Sequence, residues 1–285
     1  MKLATIRTLE GRTRAVRVDD DHLVDLGAAD LGEFLATSGW EERAAAATGH
    51  VAEVRGAAYA PVVPRPGKVV CVGLNYRNHI LEMGRDLPEY PTLFSKYADT
   101  LVGANDDIVK PPETDEFDWE CELAVVIGAP VRRARGVEAE RAIAGFAVLN
   151  DITCRDWQFR TREWLQGKNW EATTPLGPYL VTPDELPGGV RPTLEVSTRI
   201  DGETVQKDTT GDLLFDPVAL VEYVSTMITL RPGDVIATGT PGGVGHARKP
   251  ARYLSAGQVV TTEIAGLGRC ENTVVDDLTA AEVSS

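Results

Sequence analysis

Apolar and polar residues alternate in two short runs near the N-terminus, residues 3–8 (LATIRT) and 14–20 (RAVRVDD), with Glu10-Gly11 between them. Alternation puts one face of a strand on a core and the other in water, so the pattern predicts two short strands joined by a turn. Residues 30–58 are Ala-rich and lack that alternation; they predict two short helices broken near Gly39 and Gly49. The segment PVVPRPG, residues 61–67, reads as a stiff linker, and the composition changes after it. The change places a domain boundary near residue 66, with a small α+β N-terminal domain over 1–65 and a larger domain over 66–285.

The larger part opens on an apolar run, KVVCVGLNY, which predicts a buried strand. From residue 120 onward strand patterns dominate: ELAVVIG, GFAVLND, PYLVTP, LEVSTRIDGETV, DVIATGT and QVVTTEIAG. Asp201-Gly202 is a hairpin turn between two alternating runs. Only residues 137–145 and 217–229 carry a helical pattern here. Strands do not alternate with helices, which excludes a doubly wound βαβ sheet and leaves a mixed, β-rich α+β class.

Length and charge narrow the function. A chain of 285 residues suits one large domain with a small appendage. Its 29 basic and 43 acidic side chains give a net charge of −14. Such a surface repels phosphate backbones and anionic lipid, so neither nucleic acid nor membrane is an expected partner. No run reaches the roughly 20 apolar residues that span a bilayer, and the N-terminal MKLATIRTLEGR lacks the apolar stretch of a signal peptide. Cys71, Cys121, Cys154 and Cys270 are scattered without C-x-x-C spacing. A disulfide framework or thiolate zinc site is not expected, and a reducing cytoplasm fits.

Candidate chemistry begins at WECELAVVIG. Glu120 and Glu122 are two positions apart, so on a strand they share a face. Adjacent carboxylates at the mouth of an apolar strand repel each other unless a cation lies between them. Asp151 closes another apolar run, AVLND. Three hard oxygen ligands suit Mg²⁺, Mn²⁺ or Ca²⁺ and fit zinc poorly. Spacing alone also fits a solvated strand end; the neighbouring motifs decide.

In LNYRNHILEMG, His79 and Glu82 are three apart and share a face if the segment is helical. A carboxylate beside an imidazole raises its basicity and suits it to act as a base on water, although a chance surface pair gives the same spacing. Gly84, Pro88 and Pro91 make the segment after this motif a candidate lid. After Asp151 come Arg155, Asp156, Gln158 and Lys168. A lysine in that loop can neutralise an oxyanion, or be an ordinary exposed lysine. TGTPGGVGHARKP is no phosphate loop, because neither G-x-x-x-x-G-K-[ST] nor a helix-opening G-x-G-x-x-G is present. The turn can bring backbone N–H groups and the Thr240 hydroxyl to a small anion, and His246 merely flanks it.

GLNYRNHILEMG, WECELAVVIG, LNDITCRDWQ, GK with TPLGP, and TLRPGDVIATGTPGGVG occur in this order over about residues 66–276. Together they resemble the fumarylacetoacetate hydrolase superfamily, in its acylpyruvase and hydroxymuconate-isomerase-like branch. The resemblance implies a mixed β-roll and a homodimer. It implies Mg²⁺ or Mn²⁺, sometimes Ca²⁺, held by Glu120, Glu122 and Asp151. It further implies a His79–Glu82 catalytic dyad, an oxyanion lysine at Lys168, and substrate contacts from Tyr76, Arg155, Gln158, Gly239 and Thr240. Where many members carry Ser-Phe-Asp after the lysine, this chain has Asn169, Trp170 and Glu171. In relatives that stretch lines the site.

The implied reaction is hydrolysis of a C–C bond in a 2,4-dioxo acid. His79 with Glu82 would activate a water, Lys168 and Gln158 would hold the oxyanion, and pyruvate would leave as its enolate. Oxaloacetate decarboxylation and hydroxymuconate-type isomerisation use the same enolate without an activated water. A metal-binding relative without catalysis is the alternative of another class.

Overall fold

The computed structural model describes residues 1–82, 84 and 86–278, with His50 and Glu82 described by their backbone only. Two strands form its centre. Every residue of Cys121–Ile127 and of Ile143–Asn150 is buried, because both are continuous apolar runs covered on two faces. They pair antiparallel, with Cys121 opposite Asn150 and Glu122 opposite Leu149.

On one side of this pair lies the strand Val235–Ala237, then Val69–Gly73, then Thr92–Lys96 at the edge. Val235–Ala237 and Val69–Gly73 run parallel, so the sheet is mixed. On the other side Thr174–Val181 pairs with Lys2–Arg7, and the sheet continues through Thr13–Asp19, His22–Asp25 and His50–Glu53. Residues 1–65 thus add strands to the edge of the same sheet. The Pro-rich segment is packed, with Val62 and Val63 buried and the Val62 N–H donating to the Leu176 carbonyl at 3.0 Å.

A second sheet has the order Glu203–Thr209, Glu195–Ile200, Val259–Ile264, Gly268–Asp276, Ile108–Lys110. Its Val196, Ile264 and Cys270 pack with Leu123, Val125, Phe146 and Val148 on one face of the main sheet. The opposite face, through Ala124, Val126, Ala147 and Leu149, is covered by Leu31, Phe34 and Trp40 of the short N-terminal helices. The protein is a β-rich α+β fold, and the helix Pro217–Met227 is the longest described. No described helix is long and apolar enough to cross a membrane.

Three segments depart from the sequence pattern. Residues 137–145 form a helix only over Val137–Arg141, after which the chain enters the central strand. Gly145 fixes that choice: a Cβ there would lie 2.3 Å from the Val181 carbonyl, so pairing with Thr174–Val181 overrides the local helical period. After Gly49 the chain forms the strand His50–Glu53 rather than more helix, because it can pair with His22–Asp25. The strand Gly268–Asp276 is not evident from the sequence, since polar Arg269, Glu271, Asn272 and Thr273 dilute its apolar positions.

Candidate functional site

Strand register builds the carboxylate cluster. Glu120 immediately precedes Cys121–Ile127, and Asp151 immediately follows Ile143–Asn150. The antiparallel pairing brings these ends together, and the Asp151 N–H donates to the Glu120 carbonyl at 2.9 Å. Glu122 lies on the same face of its strand as Glu120. One carboxylate oxygen from each of Glu120, Glu122 and Asp151 lies within 4.8 Å of the others, and all three residues are buried.

Three cations oppose them. Lys168 Nζ is 2.9 Å from Glu120 Oε2 and 2.8 Å from Asp151 Oδ2. Lys96 Nζ is 2.8 Å from Asp151 Oδ1. Arg155 Nη2 is 2.7 Å from Glu120 Oε1, while its Nε donates to Asp118 Oδ2 at 2.8 Å. Burial alone would raise the Asp151 pKa, but Lys168 and then Lys96 outweigh it and hold the carboxyl below its ordinary value. Burial would lower Lys168, but Asp151 and Glu120 hold it up. The same balance, set by Glu120 and Asp118 against burial, raises Arg155.

Glu122 differs. Its Oε2 accepts the Gly239 N–H at 2.7 Å. Burial, then Asp151 and Glu120, push its pKa well above the ordinary carboxyl value. Gly239 can make this bond because its φ is +97° and a Cβ would lie 2.8 Å from the Val72 carbonyl. A divalent cation fits this donor set: three hard oxygens converge, and the protonation that burial favours at Glu122 is what a metal would displace.

Beside the cluster is a cavity of about 360 Å³. Its polar wall includes His79, Glu120, Arg155, Gln158, Lys168 and Thr240. Arg155 Nη1 donates to Gln158 Oε1 at 2.9 Å, which leaves the Gln158 amide nitrogen as that side chain's donor. The Thr240 hydroxyl donates to the Cys121 carbonyl at 3.0 Å and accepts from Gln206 Nε2 at 2.9 Å. The apolar wall includes Phe94, Phe159, Trp164 and Val244. Trp164 packs edge-on to Phe94 and covers Gly73, where a Cβ would come within 2.3 Å of the indole.

His79 lies in the helix Arg77–Glu82 and reaches the cavity wall. Glu82 ends that helix, and its side chain lies outside the described residues. Two expected contacts are placed elsewhere. Tyr76 is fully buried in the main core and absent from the cavity lining, and its hydroxyl has no hydrogen-bond partner among the described residues. Gly239 meets Glu122 rather than the cavity surface. Asn169, Trp170 and Glu171, read from sequence as a wall of this site, line a separate surface cavity with Val109 and Pro111. The Asn169 side chain is occupied by the Tyr97 N–H and the Ser95 carbonyl, which turns that stretch away.

Sequence reasoning missed Lys96, Asp118, Trp164 and the placement of His246. Lys96 shows only as a lysine closing the run TLFSK. Asp118 is fully buried and accepts from Arg155 Nε, Gly245 N and His246 N. That ties the glycine turn to the arginine.

The Fumarylacetoacetate (FAA) hydrolase C-terminal family matches residues 68–275. Oxaloacetate tautomerase FAHD2A, mitochondrial, of Homo sapiens is 45% identical over 215 residues, which are 75% of this chain and 68% of that protein. The solved structure of fumarylacetoacetate hydrolase (EaFAH) from psychrophilic Exiguobacterium antarcticum superposes with a TM-score of 0.84 at 32% identity, covering 97% of this chain and 100% of that one. The 5-carboxymethyl-2-hydroxymuconate delta-isomerase from Mycobacterium smegmatis superposes with a TM-score of 0.79 at 30% identity, covering 97% and 99%. The cytoplasmic location expected from the cysteines is overturned, because the similar tautomerases of rat, human and cattle are named as mitochondrial. Cys71, Cys121, Cys154 and Cys270 are free and buried, which does not identify a compartment. The family match spans the strands that carry all three carboxylates, and the chain belongs to the fumarylacetoacetate hydrolase family.

Proposed function

We propose that this protein is a divalent-metal-dependent enzyme that moves a proton between carbon and oxygen of a small 2-oxo diacid, with keto–enol tautomerisation of oxaloacetate as its reaction. The observation that carries the reading is the 45% identity over 215 residues to a tautomerase of that substrate. The cavity supports it: about 360 Å³, lined by Glu120 of the carboxylate cluster and by Arg155, Lys168 and Gln158, it suits a short, anionic, oxygen-rich ligand. Hydrolysis of a 2,4-dioxo acid, the reaction implied by the sequence motifs, uses the same wall but requires an activated water as well.

Glu120, Glu122 and Asp151 would hold the cation, which supplies Lewis acidity toward the 2-oxo and carboxylate oxygens. The chain's own groups move the proton. His79, in the cavity wall, takes it from C3. The C–H electron pair becomes the C2–C3 double bond, Lys168 gives a proton to the C2 oxygen, and exchange with solvent returns a proton to Lys168 as His79 releases one. The reverse sequence restores the ketone, so no water is consumed and no C–C bond breaks. Arg155 orients Gln158 so that its amide N–H groups meet the substrate carboxylate.

The test tracks ketonisation of enol-oxaloacetate by its ultraviolet absorbance, with Mg²⁺ and with EDTA. Pyruvate release from oxaloacetate and acylpyruvate hydrolysis are measured beside it. Mg²⁺-dependent acceleration of tautomerisation beyond both other rates is expected. Acylpyruvate hydrolysis as the fastest reaction would overturn the reading in favour of a hydrolase.

A further inference from the structure

The cavity contains a second imidazole that the reaction above does not use. His246 lies in the 3₁₀ turn Gly245–Ala247 after the glycine loop, and it lines the same cavity as His79. Its side chain is 43% exposed. The backbone is fixed from below: His246 N–H donates to Asp118 Oδ2 at 3.0 Å, and the same oxygen accepts Arg155 Nε at 2.8 Å. The order of contacts runs Glu120, Arg155, Asp118, His246. Arg155 and Asp118 thus separate His246 from Glu120 in this chain of contacts.

Its ring is also fixed. Nδ1 lies 2.9 Å from the Tyr253 hydroxyl, and the Phe159 ring lies against it at 5.2 Å between centroids. Burial, then Glu116, push the Tyr253 hydroxyl up to about 12, so it stays protonated and can donate to Nδ1. The ring proton then sits on Nε2. Nδ1 is committed to Tyr253, and Nε2 is the ring atom left for a ligand. The cavity's lysine and arginine are engaged: Lys168 with Glu120 and Asp151, Arg155 with Glu120 and Asp118.

We infer that His246 is a specificity-determining residue that takes a second carboxylate, at the end of the substrate remote from the 2-oxo acid. The inference rests on the 2-oxo diacid reading of the site and deepens it. The His246 Nε2–H donates to the distal carboxylate, an anionic acceptor. Phe159 packs against the imidazole on the apolar side of this subsite.

Oxaloacetate and 2-oxobutyrate differ only in whether the remote group is a carboxylate or a methyl, so they form the probe pair. Their dissociation constants are measured by calorimetry in Mg²⁺ for the wild type, His246→Phe and Tyr253→Phe, with thermal unfolding as the folding control. Phenylalanine keeps the packing on Phe159 and removes Nε2. The preference for oxaloacetate is expected to fall about tenfold in His246→Phe, the scale of one charge-assisted hydrogen bond, with 2-oxobutyrate binding changed less than twofold. Tyr253→Phe, which leaves the ring in place but unanchored, is expected to fall in the same direction by a smaller factor. Equal weakening of both ligands, or an unchanged preference, overturns the inference. Because binding is read rather than turnover, a wild type that does not tautomerise oxaloacetate yet loses this preference on substitution sinks the proposed reaction and leaves the subsite standing.

Discussion

Lys96 and Asp151 form an ion pair with both side chains fully buried, Nζ to Oδ1 at 2.8 Å, at the point where the edge strand Thr92–Lys96 meets the end of the central strand. Lys96 also donates to the Ile152 carbonyl at 3.1 Å. The pair joins a metal-ligand candidate to the strand at the sheet's edge. Removing one partner of a buried pair leaves the other charge without compensation, at a cost of about 3–5 kcal/mol. Asp151 keeps Lys168 at 2.8 Å, so Lys96→Met removes one of two compensating charges and is expected to lower the unfolding free energy by less, about 1.5–3 kcal/mol, in EDTA, read by urea denaturation. Saturating Mg²⁺ should restore part of the loss by opposing the Asp151 charge. An unchanged urea midpoint would show that the pair contributes nothing net.

Glu122 sets the expected response to pH. Its folded-state pKa lies above the ordinary value of 4.5, raised by burial and by Asp151 and Glu120. The folded, metal-free chain then binds more protons than the unfolded chain above that pH. Its stability contribution is full below the unfolded value and is lost as pH rises through the folded value. Asp151, lowered from 3.8 by its two lysines, works in the opposite sense and loses its contribution only at acid extremes, as pH falls through its folded value. In EDTA, the melting temperature is expected to fall from weakly acidic to neutral pH, and Glu122→Gln should flatten that slope. Mg²⁺ should flatten it in the wild type, because the ion displaces the proton, and its apparent affinity should rise with pH. A wild-type slope identical to that of Glu122→Gln would rule out this carboxyl as the source.

The parts of the site that could be read from sequence share one property: local spacing fixes their geometry. Glu120 and Glu122 share a face because a strand repeats every two residues, and Asp151 closes an apolar run that becomes the neighbouring strand. Lys96 and Asp118 carry no such signal, because a lysine or aspartate at a strand end is solvated by default. Only the pairing of distant strands buries them. The cavity wall is less legible still, since Phe94, Trp164 and His246 come from separate elements brought together by the sheet order. Asn169, Trp170 and Glu171 show the converse. They adjoin Lys168 in sequence, yet the hydrogen bonds of Asn169 turn them toward another surface. In the fold, residues 137–145 failed for the same reason, because Gly145 answers to the Val181 backbone rather than to its own helical period.

Gly73 and Trp164 offer a way to open the cavity without touching a charged group. A Cβ at Gly73 would lie 2.3 Å from Trp164 Cζ3, so Gly73→Ala must displace the indole from its place against Phe94. Overpacking of this kind costs about 1–3 kcal/mol. The expected result is a shift in tryptophan emission, a raised KM and little change in Mg²⁺ affinity, because Glu120, Glu122 and Asp151 lie on other strands. An unshifted emission with wild-type KM would mean that the backbone, not the indole, yields.

His79 separates binding from chemistry. It lines the cavity but is not among the three clustered carboxylates, so its loss should leave Mg²⁺ affinity within experimental error. A positioned acid or base contributes about 10²–10⁴ in rate, and His79→Gln keeps a polar side chain of similar reach without a group that titrates near neutral pH. Tautomerisation of oxaloacetate is expected to fall by about 10²–10⁴ in kcat with KM little changed, since the interaction is made in the transition state. Acylpyruvate hydrolysis, if the wild type performs it, should fall in parallel, because water activation would use the same imidazole. A variant that keeps tautomerisation and loses only hydrolysis would restrict His79 to the water. The proton at C3 would then have to pass to another titratable cavity group, Lys168 or His246.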